Sequence, residues 1–278
     1  MNIWQNYTEG EKTVMLQQVA EKEGINEQAV EKDWWVSAIM TALSKTEWGE
    51  FLQFKGGTSL SKGWGITRRF SEDVDLAVNR SAFGLEGNTT SQRKNIRKKT
   101  YHYIQETLLE ELNKQLTEMG ITGYNIEFVS GENSCNPITV IHIDYNSVLK
   151  SVHDYILPRV KIEFNSMSLV EPYEDKTIAT LIHKFYPDVD AEIRCNFQTV
   201  VPNRTFLEKI FLLNEEFQKD KPRCTRMSRH LYDLEKLMDT EYGINALKDY
   251  GLYRTIINHR ATFSNLPYVD YILNSVDV

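Results

Sequence analysis

The chain has 278 residues, 41% of them hydrophobic and 26% charged, with a net charge of −7. That length suits one large domain or two ordinary ones, and the balance argues against a protein wholly given over to binding polyanions, though not against a local basic patch. No apolar run approaches the ~20 residues needed to cross a bilayer, so no membrane partner is expected. The opening "MNIWQNYTEGEK" is polar and unlike a secretory signal. Three cysteines, Cys135, Cys195 and Cys224, are few, odd in number and not spaced like a zinc site, which fits a reducing compartment. The expected location is the cytoplasm.

The first 45 or so residues read as helical. In "NEQAVEKDWWVSAIMTALSK", Val30, Trp34, Ile39, Ala42 and Leu43 fall near one face after an Asn26 cap. "EFLQF" is short and strand-like, and Gly56-Gly57 ends it before a helix that opens around Ser59. "DVDLAV" reads as the next strand. Ser91 to Met119 lacks Pro and Gly and carries Leu108, Leu109, Leu112 and Leu116 near helical spacing. Three strand-like runs follow, "YNIEFV", "ITVIHIDY" and "RVKIEFN". Helices return in "NRTFLEKIFLLNEEF", with Asn203 as the cap candidate and Phe206, Ile210, Leu213 and Phe217 on one face, and in "SRHLYDLEKLMD". No internal repeat is found. The expected class is α+β: a mixed sheet with a helical N-terminal flank over residues 1–168, then a mostly helical part over 169–278 that completes the site.

The chemistry concentrates in "GGTSLSKGWGITRRFSEDVDLAV", residues 56–78. Side chains two apart on a strand share a face, so Asp73 and Asp75 present two carboxylates side by side. Like charges so close repel unless a cation holds them. Magnesium does this with one or two carboxylates, filling its other positions with water and substrate phosphates. Gly57, Thr58 and Ser59, at the start of a helix, offer backbone N–H groups and hydroxyls to an anion. Lys62 and Arg69, in the same stretch, complete the expected nucleotide-binding set. The other reading is an exposed edge strand with solvated acids and a Gly-rich turn.

This stretch resembles the signature of the AbiEii/AbiGii toxins, nucleotidyltransferases of the DNA polymerase β superfold that include the MenT toxins. Two more anchors carry the resemblance in the same order. "EKDWWV", residues 31–36, is similar to the family's Glu-Lys-Asp-aromatic stretch, and "FLEKIFLLNEEF" with "SRHLYDLEKL" is similar to its Glu-Lys and Arg-x-x-x-Asp-Leu motifs. The anchors span Glu31 to Leu237. His230 stands where the family often has an Asp, and the distance from Ser59 to Asp73 exceeds the superfamily's short form.

The resemblance implies that Ser59 binds nucleotide phosphate, Asp73 and Asp75 hold magnesium, Lys209 meets the triphosphate and Asp233 completes the far wall. On the residues alone, Lys209 could be a solvated helix lysine, and Arg229 with Asp233 an i,i+4 pair worth only ~0.3 kcal/mol. The superfold usually has a third carboxylate on a neighbouring strand. Glu163 is the choice and Asp144 the runner-up. The run "RKNIRKK" holds Arg93, Lys94, Arg97, Lys98 and Lys99 with no acid. It reads either as a solvated face or as a contact to an RNA backbone. Trp34, Trp35 and Trp64 are assigned to packing. Scattered histidines and the lack of a nucleophile elbow speak against covalent catalysis.

The implied reaction is attack of an acceptor hydroxyl on the α-phosphate of a nucleoside triphosphate. Two magnesium ions ~4 Å apart would serve the attacking and leaving oxygens. The implied acceptor is the 3′ end of tRNA, and the implied partner an antitoxin. The alternatives are transfer to a small molecule or protein, or a catalytically dead module that binds RNA or a partner.

Overall fold

The structure, a computed structural model, describes residues 2–68, 73–129, 138–149 and 156–271. At the N-terminus, a capping box between Thr8 and Glu11 starts helix α1 (Glu9–Glu23), and Gly24 ends it in the left-handed region. The Asn26 side chain caps α2 (Glu27–Leu43) by accepting from the Ala29 N–H at 2.7 Å, as the sequence predicts. Helix α2 is buried on nearly every face, which marks a helix inside the core rather than on its surface. Trp34 and Trp35 are buried there and pack edge to face.

Strand β1 (Leu52–Lys55) runs straight into α3 (Gly56–Lys62), and β2 (Asp73–Val78) returns antiparallel to β1. A long helical path follows: α4 (Thr90–Tyr103), a π-helical stretch at Ile104–Leu108, and α5 (Leu109–Glu118). The single helix expected over 91–119 is therefore interrupted by wider turns. Ile96, Thr100, Ile104, Leu108, Leu112 and Leu116 form its buried stripe, one residue in four.

The three predicted strand runs become β3 (Tyr124–Val129), β4 (Ile138–Tyr145) and β5 (Arg159–Asn165). Two further strands, β6 (Tyr173–Ala179) and β7 (Arg194–Val200), flank the short helix α6 (Leu181–Phe185). The sequence hides them: in "YEDKTIA" only Ile178 is buried, so the alternation that betrays a strand is missing. Among the described residues, seven strands join one mixed sheet in the order β3-β4-β5-β2-β1-β7-β6. The sheet thus continues past residue 168, and the helical part of the chain begins at Pro202.

That part consists of α7 (Pro202–Phe217), α8 (Ser228–Met238), α9 (Glu241–Ala246) and α10 (Tyr250–Phe263). Val201 is the N-cap of α7 and Pro202 takes its first turn, where a missing N–H costs nothing. Asn203 therefore lies inside the helix instead of capping it. Phe206 and Leu213 are buried as expected, but Phe217 is 60% exposed, and Leu207 and Phe211 are buried as well. A second apolar cluster joins Phe206, Leu207, Phe211, Leu237, Ala246, Ile256 and Ile257 to Leu60 of α3. Leu60 ties the helical part to the strand–turn–helix unit that carries the glycines.

Candidate active site

Strand β2 lies between β1 and β5 in the middle of the sheet. The edge-strand explanation of Asp73 and Asp75 is thereby removed. Both carboxylates point to one face, into a cleft of ≈ 500 Å³ between the sheet and the C-terminal helices. Register sets their neighbours. Lys55 of β1 lies opposite Asp75, and on the other side β5 places Lys161 opposite Asp73 and Glu163 opposite Asp75. Glu163 lines the cleft with the two aspartates. Asp144, the runner-up, instead pairs with Arg159 at 2.6 and 3.0 Å, outside the cleft lining.

Gly56 makes this arrangement possible. Its φ is +77°, and a Cβ built there would lie 2.1 Å from the Asp75 carboxylate oxygen. Only glycine lets the β1–α3 turn pass that close to the acid. Burial pushes the Asp75 carboxyl up to about 6; Lys55 opposes the shift, Glu163 and Asp73 add to it, and Lys209 opposes it. An acid that costly to ionise is poised to accept a cation.

The other wall comes from α7, α8 and the segment between them. Thr205, Glu208, Lys209 and Leu212 line it from α7, with Arg223, Thr225, Arg226, Arg229 and His230 beyond. Lys209 is buried and forms an ion pair with Asp233 at 2.9 Å, with the His230 ring nitrogen 3.5 Å away. Asp233 is fully buried. It therefore stands behind Lys209 and aims it, rather than facing the cleft. Glu208 is held in place by Arg204 at 2.9 Å. Burial alone would raise its carboxyl, but Arg204 and Lys55 bring it down to about 2. Arg204 itself is fully buried, donating also to the Val170 and Leu169 carbonyls at 2.7 and 2.5 Å. Arg260 of α10 closes one end, forked onto Glu215.

Other expected residues sit differently. Gly57 lines the cleft. The Thr58 hydroxyl donates to the Asp73 carbonyl at 2.5 Å, pinning the first residue of β2 to α3. Ser59 is fully buried and donates to the Gly56 carbonyl at 2.9 Å. Lys62 pairs with Asp33 at 2.5 Å and bonds the Ala179 carbonyl, lining a separate depression. Arg69 lies outside the described residues. The basic run occupies α4, with Lys94, Lys98 and Lys99 exposed and Arg93 and Arg97 half-buried. Arg93 donates to the Gly87 carbonyl at 3.0 Å and, with Arg80, lies over the Phe263 ring. Phe263 is three residues beyond Arg260 on α10, so the run begins beside the end of the helix that carries Arg260.

The family model for the AbiEii toxin, a nucleotidyl transferase of type IV toxin–antitoxin systems, matches residues 38–274. The chain belongs to this family. The match takes in both walls of the cleft and every cation and acid named in them. As an AbiEii protein it is a nucleotidyltransferase toxin, and its family implies an antitoxin and a nucleoside triphosphate. No curated protein matched the chain closely enough to count as a relative. Among the described residues, no helix is long and apolar enough to cross a membrane.

Sequence reasoning missed Lys55, Glu208, Arg260 and the cations of the α7–α8 segment. Lys55 was within reach, since it directly precedes the two glycines. The others are surface-like in sequence, and only the docking of α7, α8 and α10 brings them to the sheet.

Proposed function

We propose that this AbiEii toxin transfers a nucleoside monophosphate from a triphosphate to the 3′ end of tRNA in its Asp73–Asp75 cleft. One observation carries the reading: a carboxylate pair on an interior strand, facing a cationic wall across a cleft large enough for a nucleotide. Acids alone would repel a triphosphate, and cations alone would hold it without a place for a metal. The cleft supplies both on opposite sides.

The donor set fits magnesium of the kind that arrives with its substrate. Among the described residues, no group of three His, Cys, Asp or Glu side chains could hold a metal ion. Asp73 and Asp75 supply two carboxylates, and phosphate oxygens and water would supply the rest. A bound magnesium would polarise the α-phosphate and offset charge on the departing pyrophosphate. Lys209, aimed by Asp233, is placed for the β and γ phosphates, as a compact charge that needs no fork geometry. Gly56 and Gly57 let the triphosphate approach the backbone closely. Thr58 fixes the position of Asp73 through its carbonyl. Most of the rate gain then comes from positioning and fixed charge.

The acceptor reading rests on where the positive charge lies. In a chain of net charge −7, Arg223, Arg226, Arg229 and Arg260 gather at the cleft, and the α4 run continues from Arg93 outward. That path suits an RNA backbone whose 3′ hydroxyl enters the cleft. Incubation with each labelled triphosphate, magnesium and total RNA tests it. Label in tRNA is the expected result; label in protein or in a small molecule overturns the acceptor, and no label overturns the reaction.

A further inference from the structure

We infer that Lys161 is a built-in counter-ion that holds Glu163 along its own strand and so weakens the grip of the acidic floor on a divalent cation. The inference rests on the reading of Asp73 and Asp75 as the cation-binding pair. Parallel pairing of β2 and β5 puts Asp73 beside Lys161 and Asp75 beside Glu163. The four side chains form a square on one face of the sheet, three acids and one base. Glu163, directly across from Asp75, is the third carboxylate that could close on a shared ion. Its Oε1 is instead taken by the Lys161 ammonium, two residues back on the same strand.

One more observation agrees. No three acids of the described residues converge as a metal set, although strand register brings Asp73, Asp75 and Glu163 within one square. A fixed positive charge beside the pair has two effects. It lowers the pull of the floor on a bare cation, and it keeps Glu163 from completing a cage. The floor then takes its metal together with phosphates, which bring the missing oxygens. Lys161 is in this sense a positioning residue, acting through Glu163.

Calorimetric titration of the nucleotide-free protein with Mn²⁺ tests this without any activity readout. Lys161→Gln should tighten Mn²⁺ binding by about tenfold, and Lys161→Arg should keep the unmodified value. Glu163→Gln alone should not tighten it, and Lys161→Gln/Glu163→Gln should lose most of the gain, because the freed carboxylate supplies it. No gain in Lys161→Gln, with circular dichroism unchanged, overturns the inference. So does a Lys161→Gln/Glu163→Gln protein that keeps the whole gain, since the freed carboxylate would then have no part in it. Asp75→Asn separates the two levels. If it leaves Mn²⁺ binding intact, the reading of the floor itself fails. If it abolishes binding while Lys161→Gln does nothing, only the counter-ion role fails.

Discussion

Gly56 and Asp75 form one unit, since the turn at one exists to make room for the other. Gly56→Ala puts a side chain at positive φ and a methyl group against the carboxylate. The backbone cost is about 1–2 kcal/mol, and Asp75 must move as well. A lower melting temperature and a loss of transfer larger than any loss of triphosphate binding are expected, read by thermal melts and by radiolabel incorporation. Asp75→Asn should abolish transfer and yet stabilise the metal-free fold. With its carboxyl raised to about 6 from an unfolded value near 3.8, the folded state binds the proton more tightly than the unfolded one. Stability from this group is full below the unfolded value and is lost as pH rises through 6. At pH 7.5 the charged acid is therefore a burden of at most about 3 kcal/mol, less where water reaches it. The Asn variant should melt several degrees higher at pH 7.5, and the gap should close near pH 4. A constant gap across that range would contradict the burial of Asp75 as its cause.

At the scale of elements, α7 works as a two-sided helix. Thr205, Glu208, Lys209 and Leu212 face the cleft, while Phe206, Leu207 and Phe211 enter the second apolar cluster. The Lys209–Asp233 pair then bolts α7 to α8 at a nearly dry position. Breaking such a pair leaves one charge buried alone and costs about 3–5 kcal/mol. Asp233→Ala should therefore destabilise strongly and weaken triphosphate binding. A joint Lys209→Met/Asp233→Leu change should recover much of the stability in chemical denaturation and none of the binding. Helix α4 is read differently. Its Lys94, Lys98 and Lys99 are exposed, whereas Arg93 braces Phe263. Changing the three lysines to Ala should weaken tRNA binding and reduce its salt slope by up to about 2. Triphosphate affinity should stay as it was. An unchanged slope would return α4 to the role of a solvated face.

For the whole molecule, the site exists only because the last four helices fold back over the sheet, anchored through Leu60. A ligand held between two parts of a chain stabilises their union. A non-transferable triphosphate analogue at a hundred times its dissociation constant should add about 2.7 kcal/mol to the folded state. Lys209→Ala should show a smaller shift in melting temperature at the same ligand concentration. An equal shift would place the triphosphate away from α7. What the sequence by itself determined was local. Strands β1 to β5, the Asn26 cap, the carboxylates sharing a face and the packing of Trp34 and Trp35 follow from periods of two and 3.6 and from capping chemistry, which act over a few residues. Tertiary structure decided the rest. That β2 is interior, that Glu163 faces Asp75, that Asp233 stands behind Lys209 and that Lys62 turns away to Asp33 depend on strand order and helix docking. Those are set by apolar surfaces far apart in the chain, and β6, with a single buried side chain, shows how little of such long-range pairing a local pattern contains.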